Sequence, residues 1–235
     1  MPHYFMRDTP LRQFEEQMMT PPYCKSRSHQ TFHKGFRYRA EDVDCIYCTK
    51  YSPRHSCRLT QCICLEERIE AGVLHLRHFL QERFFTECDP LFLDRLHLHF
   101  HQPCTLFFRN HAHWRRWLHW RNRHAKISKR NQAALFLFTA YDDIWHRVVW
   151  NMEDDSFDFS SIQLAGIQPE LYSVYQAAKS ISTGTCNITF ADLASPELVT
   201  DEAFHLIICA LLLARYGDVI LMLEGETDHF NSERT

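Results

Sequence analysis

The sequence predicts a mainly α protein in which a helical domain follows a small, irregular N-terminal module. Glycine is scarce, 6 in 235 residues, and long stretches lack proline. Both favour helices over a turn-rich β fold. Apolar residues recur at helical spacing through most of the chain beyond residue 65. Residues 45–64, by contrast, hold five cysteines in twenty positions, with polar and basic residues between them. Apolar content of 45% supplies a real core. The length suits one domain with an appendage, or two small domains. The expected division is an arm and cysteine-rich module over 1–65, connecting helices over 66–104, a helical domain over 105–223 and a disordered tail over 224–235.

In the arm, Leu11, Phe14 and Met18 fall at helical spacing, so a helix is expected over about Pro10 to Met19, stopped by Thr20-Pro21-Pro22. Phe32, Phe36 and Tyr38 occupy even positions, as in a short strand. The first eleven residues include Pro2, His3, Arg7, Asp8 and Pro10 and have no apolar core. That argues against a signal peptide and for a cytoplasmic setting with reduced thiols. No apolar run reaches the length of a membrane span; the longest, Leu206 to Ala214, ends at Arg215.

Cys45-Ile46-Tyr47-Cys48 places two thiolates two residues apart, the usual half of a tetrahedral zinc site. Cys57, Cys62 and Cys64 offer three candidates for the remaining two ligands, with His55 as a further one. Spacing alone does not choose between Cys62 and Cys64. A loop this polar cannot bury a core of its own, so a metal would supply what packing cannot. Disulfides are disfavoured with reduced thiols. Scattered buried cysteines fit Cys24, Cys88, Cys104, Cys186 and Cys209 but not a five-fold cluster. The module is therefore expected to be zinc-stabilised. Surplus sulfur favours a closed structural site over a catalytic one with an open position.

Thr60 is placed to cap a helix running to about Phe85, with Leu65, Ile69, Val73, Leu76 and Leu80 on one stripe. Asp89-Pro90 restarts the chain as an N-cap and first helical residue, and Leu91, Phe92, Leu93, Leu96 and Leu98 follow. His97, His99 and His101 alternate as ligands on a strand would. On a helix they diverge, and solvated or core histidines are the preferred reading over a second metal site.

Asn110 opens a helix to about Arg123, with Trp114, Trp117 and Leu118 on its apolar face. The basic residues here are Arg109, Arg115, Arg116, Arg121, Arg123, Lys126, Lys129 and Arg130, with no acid between Phe108 and Arg130. Acids dominate from Glu153 onward, opposed only by Lys179, Arg215 and Arg234. Two uses follow. The basic segment could grip nucleic acid, arginines on phosphates and aromatics on bases. Equally, the chain could neutralise itself by packing one part on the other, with the tryptophans in the core.

Ser128 caps a helix through Ala140, and Asp142 caps another with Ile144, Trp145, Val148 and Val149. Asn151 to Asp158 reads as an acidic loop. Gln168-Pro169 starts a helix to about Ser182, followed by Gly184. Thr189 with Asp192 resembles a capping box. Thr200 caps a last helix, Asp201 to Tyr216, stopped by Gly217. It is apolar on nearly all sides and is expected at the centre of the core.

Asn110-His111-Ala112-His113, Ala134-Leu135-Phe136 followed by Asp142-Asp143, Leu171-Tyr172 through Ala177-Ala178, and Leu212-Leu213-Ala214-Arg215-Tyr216-Gly217 together carry a resemblance. Residues from about Leu106 to Gly217 resemble an uncharacterised helical domain family of Gram-positive mobile genetic elements. The cysteine-rich front then looks like an extension to that domain. The matching residues are mostly core and cap positions. The resemblance implies the fold and the mobile-element setting, and carries over no catalytic residue.

The leading expectation is a non-enzymatic, zinc-stabilised binding protein, such as an inhibitor of a host nucleoprotein defence of the CRISPR effector kind. The alternative is a DNA- or RNA-binding regulator using segment 109–130. A metal-dependent nuclease built on His97, His99, His101, His111 or His113 ranks third. No Ser/His/Asp set, phosphate-binding glycine loop or HExxH motif is present.

Overall fold

The structure, a computed structural model, describes residues 10, 12, 38–52, 57–84, 89–100, 107–124, 127–153 and 156–224. The expected helix over 10–19, the strand ending near Tyr38 and the tail beyond 224 fall wholly or largely outside these residues. The chain divides into two compact units, Met1–Arg37 and Tyr38–Thr235. The cysteine segment thus shares a unit with the helices.

The second unit is mainly helical. Its helices are α1 (Leu65–Glu70), α2 (Leu76–Phe84), α3 (Pro90–Phe100), α4 (His111–Arg123), α5 (Lys129–Thr139), α6 (Asp142–Val148), α7 (Pro169–Thr183), α8 (Phe190–Ala194) and α9 (Asp201–Tyr216). The one hairpin among the described residues pairs Met152 with Phe157 and Glu153 with Ser156, antiparallel, within the segment read as a loop.

Where capping chemistry was clear, the helices start as expected. Asn110 Oδ1 accepts from the His113 N–H at 2.9 Å, and Ser128 Oγ from the Asn131 N–H at 3.2 Å. Thr189 and Asp192 form a reciprocal capping box. Asp89 Oδ1 accepts from the Leu91 and Phe92 N–H groups. Each satisfies donors that a helix leaves orphaned at its first turn.

Two boundaries differ. The helix expected from Thr60 to Phe85 is broken into a 3-10 turn (Leu59–Gln61), α1 and α2. The break is at Gly72, which takes φ 68°. The Val73 N–H reaches Arg68 O and the Gly72 N–H reaches Ile69 O, at 3.0 and 2.9 Å. This is a Schellman stop, and only a residue without Cβ adopts it cheaply. The N-cap of α6 is Tyr141, not Asp142. Asp142 is the first helical residue and pairs instead with Arg116.

The core is built around two helices. In α5 every residue from Gln132 to Thr139 is buried, and α9 is buried on nearly all sides, as its apolar sequence requires. α5 packs against α9 on one side and α7 on another, with α4 also laid on it. Aromatic rings close the gaps. Phe92 meets Phe84, Phe190 and Phe204, while Phe138 meets Phe157, Phe159 and Tyr175. At α3, the buried Arg95 donates to Leu193 O (2.7 Å), Val199 O (2.6 Å) and Asp201 Oδ1 (2.7 Å), tying α8 and the start of α9 to α3.

Candidate metal centre and the basic segment

The cysteine segment is built from short turns. Asp44 caps the first thiol pair: its Oδ1 accepts from the Ile46 N–H at 3.1 Å, and the Cys48 N–H closes on Cys45 O at 3.0 Å. A second turn, Leu59–Gln61, closes with the Cys62 N–H on Leu59 O at 3.2 Å. Cys64 then stands at the N-cap of α1. A turn at Ala40–Val43, just ahead of the first thiol pair, packs on α1.

This packing draws the two halves together. The Cys64 thiol is pushed up to about 11, first by burial, then by Cys48, Glu67 and Cys62, with a Cys48 hydrogen bond adding to it. Cys45, Cys48, Cys62 and Cys64 are half-buried, Cys57 is exposed, and all five are free of disulfide bonds. Among the described residues, no three His, Cys, Asp or Glu side chains stand together as a ready-formed metal cage. His55 lies outside the described residues.

The donor chemistry nonetheless suits zinc, and a neighbour suits the charge that zinc and thiolates would make. Arg68 Nη1 lies 3.9 Å from Cys62 Sγ. Its buried Nε has no hydrogen-bond partner among the described residues. Four thiolates on a dication leave two negative charges, which N–H···S contacts from a guanidinium offset. Sequence reading passed over Arg68; its place four residues after Cys64 on a helix was the available signal.

The segment is tied to the helices through Glu82. Its Oε2 accepts the Leu59 N–H at 2.6 Å and its Oε1 the Tyr216 hydroxyl at 3.1 Å. Burial, then Glu82, raises the Tyr216 hydroxyl to about 12, so it stays a donor. No local pattern in the sequence marks Glu82.

The basic segment is largely turned to internal use. Arg109 Nε donates to Glu202 at 2.8 Å, and its guanidinium lies 4.3 Å over the Tyr141 ring. Arg116 donates to Thr139 O at 2.9 Å and pairs with Asp142. Arg121 pairs with Asp218. Lys129 Nζ reaches Tyr216 O at 3.2 Å, at the C-terminus of α9. A Cβ on Gly184 would come within 3.1 Å of Arg130 Nη1, so that guanidinium lies over the C-cap of α7. Lys129 and Arg130 oppose the dipole of their own helix α5 but complement those of α9 and α7. Arg123 stacks on Trp120 and contacts His119, and Arg115 is exposed. Lys126 lies outside the described residues. The tryptophans serve the core: Trp117 is buried, Trp114 and Trp120 pack against it, and Trp120 meets Trp145 edge-on.

Among the described residues, the candidate nuclease histidines are not brought together. His113 is fully buried; its Nδ1 accepts the Arg109 N–H at 3.1 Å, which leaves Nε2 to donate to Phe136 O at 2.8 Å. Burial chiefly pushes it down to about 3, so it is a neutral structural crosslink. His111 stacks on Trp114, His97 is exposed, and His99 pairs with Asp201 at 3.0 Å. His101 lies outside the described residues.

No protein-family model, curated protein or solved structure matches this chain.

Proposed function

We propose that this chain is a non-enzymatic binding protein in which a helical body carries a zinc-held cysteine head, and that the head engages a protein surface of a host protein or nucleoprotein. One observation carries this reading. The residues between the thiols face outward: Ile46 is 56% exposed and Tyr47 74%, both between Cys45 and Cys48. Ile63, between Cys62 and Cys64, is 46% exposed, and nearby Tyr51 47%. Apolar and aromatic side chains held out on a short hydrogen-bonded turn are the kind of anchor that protein interfaces use. The body also exposes large apolar residues, Leu91 and Leu98 together on α3 and Trp150, Tyr172, Leu198 and Met222 on other segments.

The mobile-element setting comes with the family resemblance, and a CRISPR-type effector as the target rests on that setting, the polarised charges and the lack of a catalytic constellation in the sequence. The nucleic-acid reading is weakened because Arg109, Arg116, Arg121 and Lys129 already have partners within the chain.

The test is a capture experiment from host lysate, nuclease-treated and untreated, with wild type and the Ile46→Ser/Tyr47→Ser variant. A protein partner that survives nuclease and is lost with the variant supports the head as the binding surface. Capture that depends on nucleic acid, falls steeply with salt and ignores the variant overturns it in favour of the basic face.

A further inference from the structure

We infer that the metal-binding set is Cys45, Cys48, Cys62 and Cys64, and that Cys57 is an exposed thiol outside it. This rests on the zinc reading above and deepens it, because five sulfurs compete for four tetrahedral positions.

The backbone makes the choice. Cys45 and Cys48 are the two ends of one hydrogen-bonded turn capped by Asp44. Cys62 closes the Leu59–Gln61 turn and Cys64 caps α1, so both sit where a 3-10 turn hands over to a helix. The Ala40–Val43 turn lies on α1 and carries the first pair toward the second. Leu59 is buried and its N–H is fixed by Glu82, which anchors the second pair on the body. Cys57 precedes that anchor and is the one exposed thiol of the five. Arg68 favours the same set: its Nη1 lies 3.9 Å from Cys62 Sγ, and its buried Nε has no partner among the described residues. Glu67, buried beside Cys64, opposes the charge of a zinc–thiolate centre, and Arg68 from the same helix offsets it. Binding would draw the four sulfurs inward from their present spacing, coupling metal uptake to local ordering.

The experiment uses the full-length protein purified without chelator. Zinc is measured per chain in wild type and in Cys45→Ser, Cys48→Ser, Cys57→Ser, Cys62→Ser and Cys64→Ser. The expected result is about one zinc in wild type, the same in Cys57→Ser, and loss in the other four. Alkylation of the wild type, mapped by mass spectrometry, avoids dependence on variants that fail to fold. There Cys57 should react as fast as the exposed Cys186, with the four ligands protected until chelator is added. A zinc-loaded wild type in which Cys57 is protected, and Cys62 or Cys64 is free or dispensable, overturns the ligand assignment and leaves the zinc reading standing. A wild type without zinc overturns both.

Discussion

The cysteine segment over 38–64 and the helical body over 65–224 are held in opposite ways. Among the segment's described residues only Val43 and Leu59 are buried, whereas the body buries whole faces of α5, α7 and α9. Body charges are spent on tying helices together: Arg95 joins α3 to α8 and α9, Arg109 and Arg116 brace α4, and Lys129 and Arg130 cover helix ends. Among the described residues, segment order comes from short turns, the packing of Ala40–Val43 on α1 and a long-range bond from the Leu59 N–H to Glu82. A region stabilised by many apolar contacts tolerates the loss of any one of them better than a region with few. The segment is therefore where a ligand has the most to add.

The largest expected effect that separates the two regions is a pH effect confined to the body. His113 is held near 3, below its ordinary value of 6.5, because burial disfavours the imidazolium. The folded state stays neutral there while the unfolded state takes up a proton. Its contribution is thus fully present above about 6.5 and is lost as pH falls toward about 3, with a slope of about 1.4 kcal/mol per pH unit. His78 shifts in the same direction, and Asp201 and Asp192, held low by their hydrogen bonds, begin to act as pH falls toward the ordinary carboxylate value of 3.8, at the low end of this window. Urea unfolding of wild type and His113→Gln between pH 7 and about 4.5 should show a shallower slope in the variant. Both proteins carry the same cysteine segment, so its own response to acid cancels in the difference. Equal slopes would mean that His113 is not the buried neutral crosslink.

The body was legible in the sequence because its signals are redundant. The start of α4 is announced by Asn110, that of α5 by Ser128, and that of α9 by Thr200 ahead of an apolar helix, each a local rule satisfied within four residues. Gly72 and the Tyr141 cap were the exceptions. The apolar stripe runs on through Leu76 and Leu80, and periodicity masked a one-residue stop. The basic segment read equally well as a nucleic-acid face or as an internal brace. Composition cannot tell these apart, since Glu202 and Asp218 lie 93 and 97 residues away from their arginines. Glu82 was invisible for the same reason, its partners being Leu59, Tyr216 and Arg215.

Glu82 gives the intermediate effect, at the junction of the two regions. Glu82→Ala would leave the Leu59 N–H and the Tyr216 hydroxyl without an acceptor, a cost of about 1–3 kcal/mol for each group left buried and unsatisfied. Amide exchange should rise first at Leu59 through Cys62, while protection in α5 is retained. Uniform loss of protection across both regions would show instead that they unfold as a single cooperative unit.

The smallest effect compares two adjacent arginines that sequence treats as equals. Arg116 faces inward: its Nε donates to Thr139 O and its Nη1 pairs with Asp142, bracing α4 against the end of α5 and the start of α6. Arg115 points into solvent. Arg116→Ala should cost about 1 kcal/mol, and Arg115→Ala should stay within about 0.5 kcal/mol. Denaturant midpoints at constant slope measure both. Raising the salt should shrink the Arg116 difference only slightly, because the carbonyl contact is not an ion pair and is screened little. If Arg115 proved the costlier residue, α4 would present its other side to the core. The basic surface would then be free, and the body rather than the cysteine head would become the stronger candidate for partner binding.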